Sequence, residues 1–195
     1  MVDAQMKLMK KAAQTGGSDD AWRYGAARLN GTYELYTGEV CRCRRNIKEG
    51  VHWLGLAAKQ GCIGAMLELS CHYYAQQSNR ENLRKALYWD KKAWEMGDTV
   101  AGYNVALTYS KLGNRKRCHE WLVRGYRRCP WSACVALAKT YLCGYGVRRD
   151  VRKAERLFME VLSDPESIVD DRRLARHYLK MIKEGAIPED DRPYP

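Results

Sequence analysis

The sequence predicts an all-α fold, a right-handed superhelical solenoid of antiparallel helix pairs. Apolar residues recur with the 3.6-residue period of a helix. The helical pattern returns at a regular interval, since Gly61 to Gly97 is 36 residues and Gly97 to Cys129 is 32. Intervals of this size are typical of helix–turn–helix repeats. Proline is scarce (5 residues), and no stretch alternates apolar and polar residues over the length of a strand.

The helix pair at Ala133–Val161 shows the pattern most clearly. Its first apolar face has the spacing i, i+4, i+5 and i+8. That face comprises Ala133, Leu137, Ala138 and Tyr141. Gly144 and Gly146 then interrupt the helix, because glycine readily takes positive φ. Asp150 is the predicted N-cap of the next helix. The second apolar stripe comprises Ala154, Leu157, Phe158 and Val161. Helices this short bury both stripes only against neighbours of the same kind.

Related segments elsewhere supply those neighbours. The second helices start at Lys48, Arg84, Lys116 and Arg152. Each has a small residue third, a large apolar residue sixth and a small or apolar residue tenth, which is one helical face. The sixth positions are Trp53, Trp89, Trp121 and Leu157. The first helices share a tyrosine, at Tyr73, Tyr109 and Tyr141. We interpret these aromatic residues as repeat core rather than as an aromatic cage.

Both ends of the chain predict partial units. Residues 3–16 fit the second-helix pattern, and residues 165–184 predict an amphipathic capping helix. We therefore expect a single repeat domain. Its predicted parts are an N-terminal half-repeat or cap at 1–16, a repeat with an insert at 17–61, repeats at 62–97, 98–129 and 130–163, a capping helix at 164–187 and a flexible tail at 188–195.

The run from Tyr141 to Ala154 resembles the Sel-1-like repeat family, a branch of the tetratricopeptide superfamily. It contains Tyr141-Leu142, Gly144-x-Gly146-Val147, Asp150 and Lys153-Ala154. Residues 62–97 match through Lys85-Ala86, Trp89, Lys92-Ala93 and Gly97. The chain departs from the family at Gly113-Asn114, where the glycine loop is shortened, and in the insert at 33–46. The resemblance implies helical hairpins that form a concave groove and bind a protein.

The charge of the chain favours an acidic partner. Lys and Arg number 34 against 23 Asp and Glu, a formal net charge of +11. An acidic protein is the leading hypothesis, and a nucleic acid bound to the basic surface is the alternative. Base stacking needs exposed aromatic side chains. Because we expect the aromatic residues in the core, the nucleic-acid alternative is the weaker one.

The sequence predicts a cytoplasmic protein with reduced thiols. No apolar run is long enough for a membrane span, and the Lys-rich N-terminus lacks the apolar segment of a secretory signal. The eight cysteines are then expected to be free. Cys62, Cys71, Cys134 and Cys143 are expected to pack as buried thiols. Cys41 and Cys43 are one residue apart with no second pair nearby, which argues against a zinc site.

No motif predicts catalysis. His52, His72 and His119 lie in different repeats, and no Ser–His–Asp or Cys–His arrangement can be assembled from the sequence. Gly144-x-Gly146 follows a helix rather than a strand, which argues against a phosphate-binding loop. We therefore predict a protein that is not an enzyme and that needs no cofactor or metal.

A partner-binding set follows by analogy with tetratricopeptide grooves, which are lined by residues just off the core stripe of the first helices. The expected residues are Glu68, Cys71, Tyr74, Tyr103, Asn104, Leu107, Lys111, Lys139 and Leu142. The expected function is that of a non-enzymatic adaptor or regulator. A bacterial immunity or effector-regulating protein is a narrower form of this hypothesis.

Overall fold

The computed structural model describes residues 2–35, 38–76, 79–165 and 167–186. These residues form ten α-helices and one two-stranded antiparallel sheet. They divide into two compact units, Met1–Met96 and Gly97–Pro195. Within each unit, helices that follow one another along the chain pack together, which confirms the predicted all-α fold of helix pairs.

The elements of each unit have the following bounds. The first unit contains α1 (Val2–Thr15), α2 (Ser18–Asn30), β1 (Thr32–Glu34), β2 (Val40–Arg42), α3 (Ile47–Lys59), α4 (Ile63–Ala75) and α5 (Arg80–Glu95). The second unit contains α6 (Ala101–Lys111), α7 (Arg115–Arg128), α8 (Pro130–Cys143), α9 (Val151–Ser163) and α10 (Val169–Lys183). No helix among the described residues is both long enough and apolar enough to cross a membrane.

Small residues let the helices of the first unit approach closely. Gly50 on α3 is buried against α2, and a Cβ there would meet the backbone of Leu29. Ala57, Ala65, Ala86 and Ala93 are also fully buried on the helices of this unit. Leu54 and Leu69 fill the remaining space. Close packing of this kind makes each helix contact sensitive to added volume.

A carboxylate ties three helices of the first unit together. Glu49 on α3 accepts hydrogen bonds from Lys10 Nζ (2.9 Å), Tyr24 Oη (2.8 Å) and Arg28 Nε (2.8 Å). Burial alone would raise the pKa of Glu49, but these donors outweigh burial and hold the pKa below its usual value. Burial and the neighbouring carboxylate raise the pKa of Tyr24 to about 12. The cluster thus joins α1, α2 and α3 through charge-assisted hydrogen bonds.

The second unit has the two apolar stripes that the sequence predicts. All eight residues of the stripes on α8 and α9 are buried, and Phe158 has no exposed surface. α10 packs on α9, and Tyr178 of α10 stacks on Phe158 with ring centroids 5.2 Å apart. The predicted flexible tail at 188–195 lies outside the described residues.

A short polar side chain caps the N-terminus of four of the helices. The carboxamide oxygens of Asn46, Asn79 and Asn114 and a carboxylate oxygen of Asp150 accept hydrogen bonds from backbone N–H groups in the first turns of α3, α5, α7 and α9. Such caps satisfy donors that have no partner inside the helix. The sequence interpretation identified Asp150 and missed the three asparagines.

The insert in the first repeat is a β-hairpin, which corrects the expectation of no strands. Tyr33 pairs with Cys41, and the ladder continues through Cys43 N–H to Gly31 C=O and Leu35 N–H to Glu39 C=O (both 2.9 Å). Tyr33 is buried, whereas Thr32 and Glu34 are exposed. Strands of three residues are too short to show alternation in the sequence.

Candidate partner-binding surfaces

Three of the expected partner-binding residues lie on α4 in the first unit. Glu68 and Tyr74 are half-buried, and Glu68 accepts a long hydrogen bond from Asn30 Nδ2 (3.5 Å). Cys71 is exposed, which corrects the expectation that its thiol is buried. The α4 face therefore combines a carboxylate, a thiol and an aromatic ring.

The other six residues lie on α6 and α8 in the second unit. Tyr103, Asn104 and Leu107 are half-buried and Lys111 is exposed, all on α6. On α8, Lys139 is half-buried, with its Nζ 5.4 Å from the Tyr178 ring centroid. Leu142 was expected at the surface, but its side chain is 0% exposed. It follows Tyr141 on a part of α8 where both residues are buried, so it belongs to the core.

The charge on these two helices has one sign. Neither α6 nor α8 contains an aspartate or a glutamate, and their charged residues are Lys111 and Lys139. Helices that carry cations and no carboxylate of their own attract acidic groups, provided that the charges are not screened by salt. This sign is a property of the helices themselves and does not depend on the net charge of the whole chain.

A denser basic surface covers the exposed side of α7. Its exposed cations are Arg115, Lys116, Arg117, Arg124, Arg127 and Arg128. Three of them are held against aromatic rings, and the guanidinium of Arg115 lies 5.4 Å from the Tyr145 ring centroid. The guanidinium of Arg117 donates to Tyr109 Oη (3.2 Å), and that of Arg124 lies 5.0 Å from the Trp121 ring centroid. Such contacts orient the guanidinium group of an arginine.

Two aromatic residues lie at the surface and are close in sequence to basic residues. Trp131, at the start of α8, is 61% exposed and follows Arg127 and Arg128 closely in the chain. Tyr88 on α5 in the first unit is 55% exposed and lies one turn after Arg84. The expectation that the aromatic residues are all committed to the core is therefore wrong. Of the predicted stripe, Trp53, Trp89 and Tyr73 are only half-buried.

The buried thiols are expected to be unreactive near neutral pH. All eight cysteines are free, and Cys118 and Cys134 are buried. Burial raises the pKa of both thiols to about 12. A thiol in this state is neutral near pH 7 and is a poor nucleophile. Among the described residues, no group of three His, Cys, Asp or Glu side chains is placed to hold a metal ion.

The most buried histidine, His119, packs between α7 and α8. His119 Nδ1 lies 2.9 Å from Thr140 Oγ1, and the ring packs edge-on against Tyr141. Burial and then the charge of Lys153 lower the pKa of His119. Thr140 is 0% exposed, and its hydroxyl donates to Leu137 C=O (2.7 Å). A substrate cannot reach this hydroxyl, so the pair stabilises the α7–α8 contact.

Comparisons with known proteins agree with this architecture. The Sel1 repeat profile matches residues 20–62, 63–98 and 131–158, more than half of the chain. The fold is similar to a Sel1 repeat protein from Oxalobacter formigenes (TM-score 0.67, 22% identity, 96% of this chain and 71% of that one). It is also similar to a protective antigen of uropathogenic Escherichia coli strains that displays an SLR fold (TM-score 0.62, 19% identity, 95% of this chain).

This chain covers 42% of the Escherichia coli antigen. At 22% and 19% sequence identity, the similarity to these two solved structures shows the fold alone. A comparison with curated protein sequences found no match. The three profile matches and the consecutive helix pairs show that the chain belongs to the Sel1 repeat family.

Proposed function

We propose that this chain is a non-enzymatic module that binds an acidic protein through the exposed faces of its first helices. Sel1 repeats generally form protein-interaction modules. The observation that supports an acidic partner is that α6 and α8 carry Lys111 and Lys139 but no carboxylate. Tyr103, Asn104 and Leu107 add partly exposed aromatic, amide and apolar groups. Glu68, Cys71 and Tyr74 are the corresponding surface of α4.

Affinity capture with matched charge variants tests this proposal. The wild-type chain and a Lys111→Glu/Lys139→Glu variant are used as baits in a lysate of the source cells, with mass spectrometry as the readout. We expect an acidic protein to be retained by the wild type and lost from the variant, because two attractions become repulsions. An Arg127→Glu/Arg128→Glu variant, which changes the same charge on α7, should retain that protein. Equal recovery by the wild type and the Lys111/Lys139 variant would argue against the proposed surface.

A bacterial immunity or effector-regulating role is a narrower form of the proposal. An acidic toxin would be the partner, and the module would act by covering it. A toxin gene beside the gene for this chain would support the role. Loss of protection when Lys111 and Lys139 are both changed to Glu would connect protection to the α6–α8 surface.

Nucleic-acid binding is the second candidate, and the exposure of Trp131 favours it. An aromatic face beside Arg127 and Arg128 is a combination that stacks bases and contacts phosphates. The test is fluorescence anisotropy with a labelled single-stranded RNA at low and high salt. Binding at this surface predicts a steep loss of affinity with salt, and about tenfold weaker binding for Trp131→Ala. No anisotropy change at low salt would exclude the candidate, and binding that survives high salt would point away from phosphate contacts.

A further inference from the structure

The first unit contains a cavity that the proposed function does not use. Its volume is about 670 Å³, and it lies between α1, α2 and the hairpin. α1 contributes Leu8 and Met9, α2 contributes Trp22 and Ala26, and the hairpin contributes the whole of β1 together with Leu35, which follows it. When consecutive residues of a strand line a cavity, its backbone lies beside the cavity as well as its side chains.

Among the described residues, no second strand pairs with the other edge of β1. In an antiparallel ladder, residues alternate between facing the partner strand and facing away from it. Gly31, Tyr33 and Leu35 face β2, because Gly31 bonds Cys43 and Leu35 bonds Glu39 with the register Tyr33 to Cys41 between them. The N–H and C=O groups of Thr32 and Glu34 therefore face away from β2. They are a free strand edge, which is a template for an added strand.

The side chains around this edge indicate what an added strand would carry. On the rim of the cavity, Leu8 is 61% and Val40 is 67% exposed, so apolar surface lies open to water. The charged lining residues are Asp20, Glu34 and Arg23, an acidic excess in a chain whose net charge is +11. Within the described ranges, no hydrogen bond or ion pair engages the carboxylates of Asp20 and Glu34. The Trp22 indole N–H is also buried without an acceptor there.

We propose that the edge of β1 and this cavity bind an extended segment of another protein, in which apolar residues alternate with Lys or Arg. The backbone of the segment pairs with Thr32 and Glu34. Its apolar side chains lie on the same face of the enlarged sheet as Tyr33 and enter the cavity. Its basic side chains lie on the face of Glu34. This site is distinct from the α6–α8 surface. It prefers a basic partner, whereas the α6–α8 surface is proposed to bind an acidic one.

A probe peptide of sequence GKLKLKG with blocked ends tests the proposal on the full chain. Two modified probes have N-methyl groups either on the lysine amides or on the leucine amides. In a paired strand one of these sets faces β1 and the other faces away. We expect one modified probe to lose binding and the other to retain it. Equal binding of both would contradict edge pairing, as would the absence of binding by the unmodified probe.

Hydrogen exchange on the wild-type chain gives a readout that needs no variant. The probe should slow exchange of the Thr32 and Glu34 amides by about tenfold or more, because these amides gain acceptors. The Arg42 amide, which faces away from β1 on the other edge of the hairpin, should be unchanged. Probe binding without protection at Thr32 and Glu34 would overturn the assignment. Protection that appears without probe at high protein concentration would identify a second copy of the chain as the occupant instead.

Three variants separate the contribution of the β1 backbone to probe binding from that of the Glu34 side chain. Glu34→Pro removes the outward N–H and should weaken probe binding about tenfold. Glu34→Gln keeps the N–H and should weaken it about twofold, since an exposed ion pair contributes little. Arg42→Pro makes the same backbone change on the opposite edge and should bind as the wild type does. An equal loss for Glu34→Pro and Arg42→Pro would show that general damage to the hairpin, not the β1 edge, is responsible. These variants do not change the α6–α8 surface. A failure of the peptide proposal would therefore leave the proposed function untested by these variants, and the two proposals are judged by separate experiments.

Discussion

In the turn between α8 and α9, Gly146 is the residue with the least space for a side chain. Its φ is +74°, and a Cβ at this position would overlap the backbone carbonyl of Arg115. Neither atom can move without shifting main chain, so the sequence signal Gly-x-Gly reflects a steric requirement in the second unit.

We therefore expect Gly146→Ala to lower the free energy of unfolding by about 3 kcal/mol or more, from overlap and from positive φ together. Gly113→Ala is the matched control, since its φ is +77° but a Cβ there meets no atom within 4 Å. It should cost only about 1 kcal/mol. Urea denaturation of both variants measures the difference. Similar losses for the two variants would show that positive φ alone is responsible.

Glu49 makes the stability of the first unit depend on pH. Its pKa is lower in the folded chain than in the unfolded chain. The stabilisation is therefore complete above the ordinary glutamate pKa and is lost as the pH falls through the lower, folded value.

We expect Glu49→Gln to cost about 2 kcal/mol at neutral pH, because three donors lose their charged acceptor. The cost should shrink as the pH is lowered from about 6 to about 3, when the wild-type carboxylate also becomes neutral. Urea denaturation across this range checks the prediction. Glu155→Gln, on the exposed side of α9, serves as control and should follow the wild type. A cost that does not change with pH would exclude the carboxylate charge as its source.

At the scale of elements, the start of each second helix is marked by one short polar side chain. Asp150→Ala and Asn114→Ala should each lower the free energy of unfolding by about 1 kcal/mol, because a backbone N–H loses its acceptor. Asp150→Asn should cost much less, since asparagine caps α3, α5 and α7. Thermal or urea denaturation of the three variants provides the measurement. An equal loss for Asp150→Asn and Asp150→Ala would mean that the charge, and not the cap, is important.

The helices could be predicted from sequence because their signals are local and repeated. The stripes on α8 and α9, the glycines at 144 and 146 and the cap at Asp150 each restrict a few neighbouring residues, and several copies reinforce one another. The hairpin had no such support. Its strands have three residues each, and the hydrogen bonds to the C-terminal end of α2 come from Cys43 and Arg45, which follow β2.

The candidate surfaces were harder to predict than the helices. A helical wheel separates core from surface only to within about one residue, which is how Leu142 was misplaced. Cys71 and Trp131 show the opposite error, since residue type suggested burial and the structure leaves them exposed. Which side of a helix remains uncovered depends on its neighbours, and the neighbours are known only once the helices are packed.

At the scale of the whole molecule, the thiols report on the folding of both units. Cys71 is exposed, whereas Cys62 in the first unit and Cys118 and Cys134 in the second are buried. We expect iodoacetamide to modify Cys71 in the native chain and the other three only after unfolding, because burial denies access.

Labelling at increasing urea concentrations, followed by peptide mass spectrometry, gives an unfolding curve for each thiol. Cys118 and Cys134 should become reactive together, since both lie in the core of one compact unit. The Cys71→Ser variant controls for effects of the first modification. Early labelling of Cys118 or Cys134 in the absence of urea would show that the core of the second unit opens locally.

The base of the hairpin also has a use in protein engineering. The chain leaves α2 and returns to α3 at adjacent points, which are joined by hydrogen bonds from Asn46 N–H to Arg28 C=O (2.7 Å) and from Cys43 N–H to Gly31 C=O (2.9 Å). Closing a longer loop between fixed ends costs little additional free energy. Foreign loops could therefore be grafted between these anchors while the helices keep their path, which would make the first repeat a scaffold for display libraries.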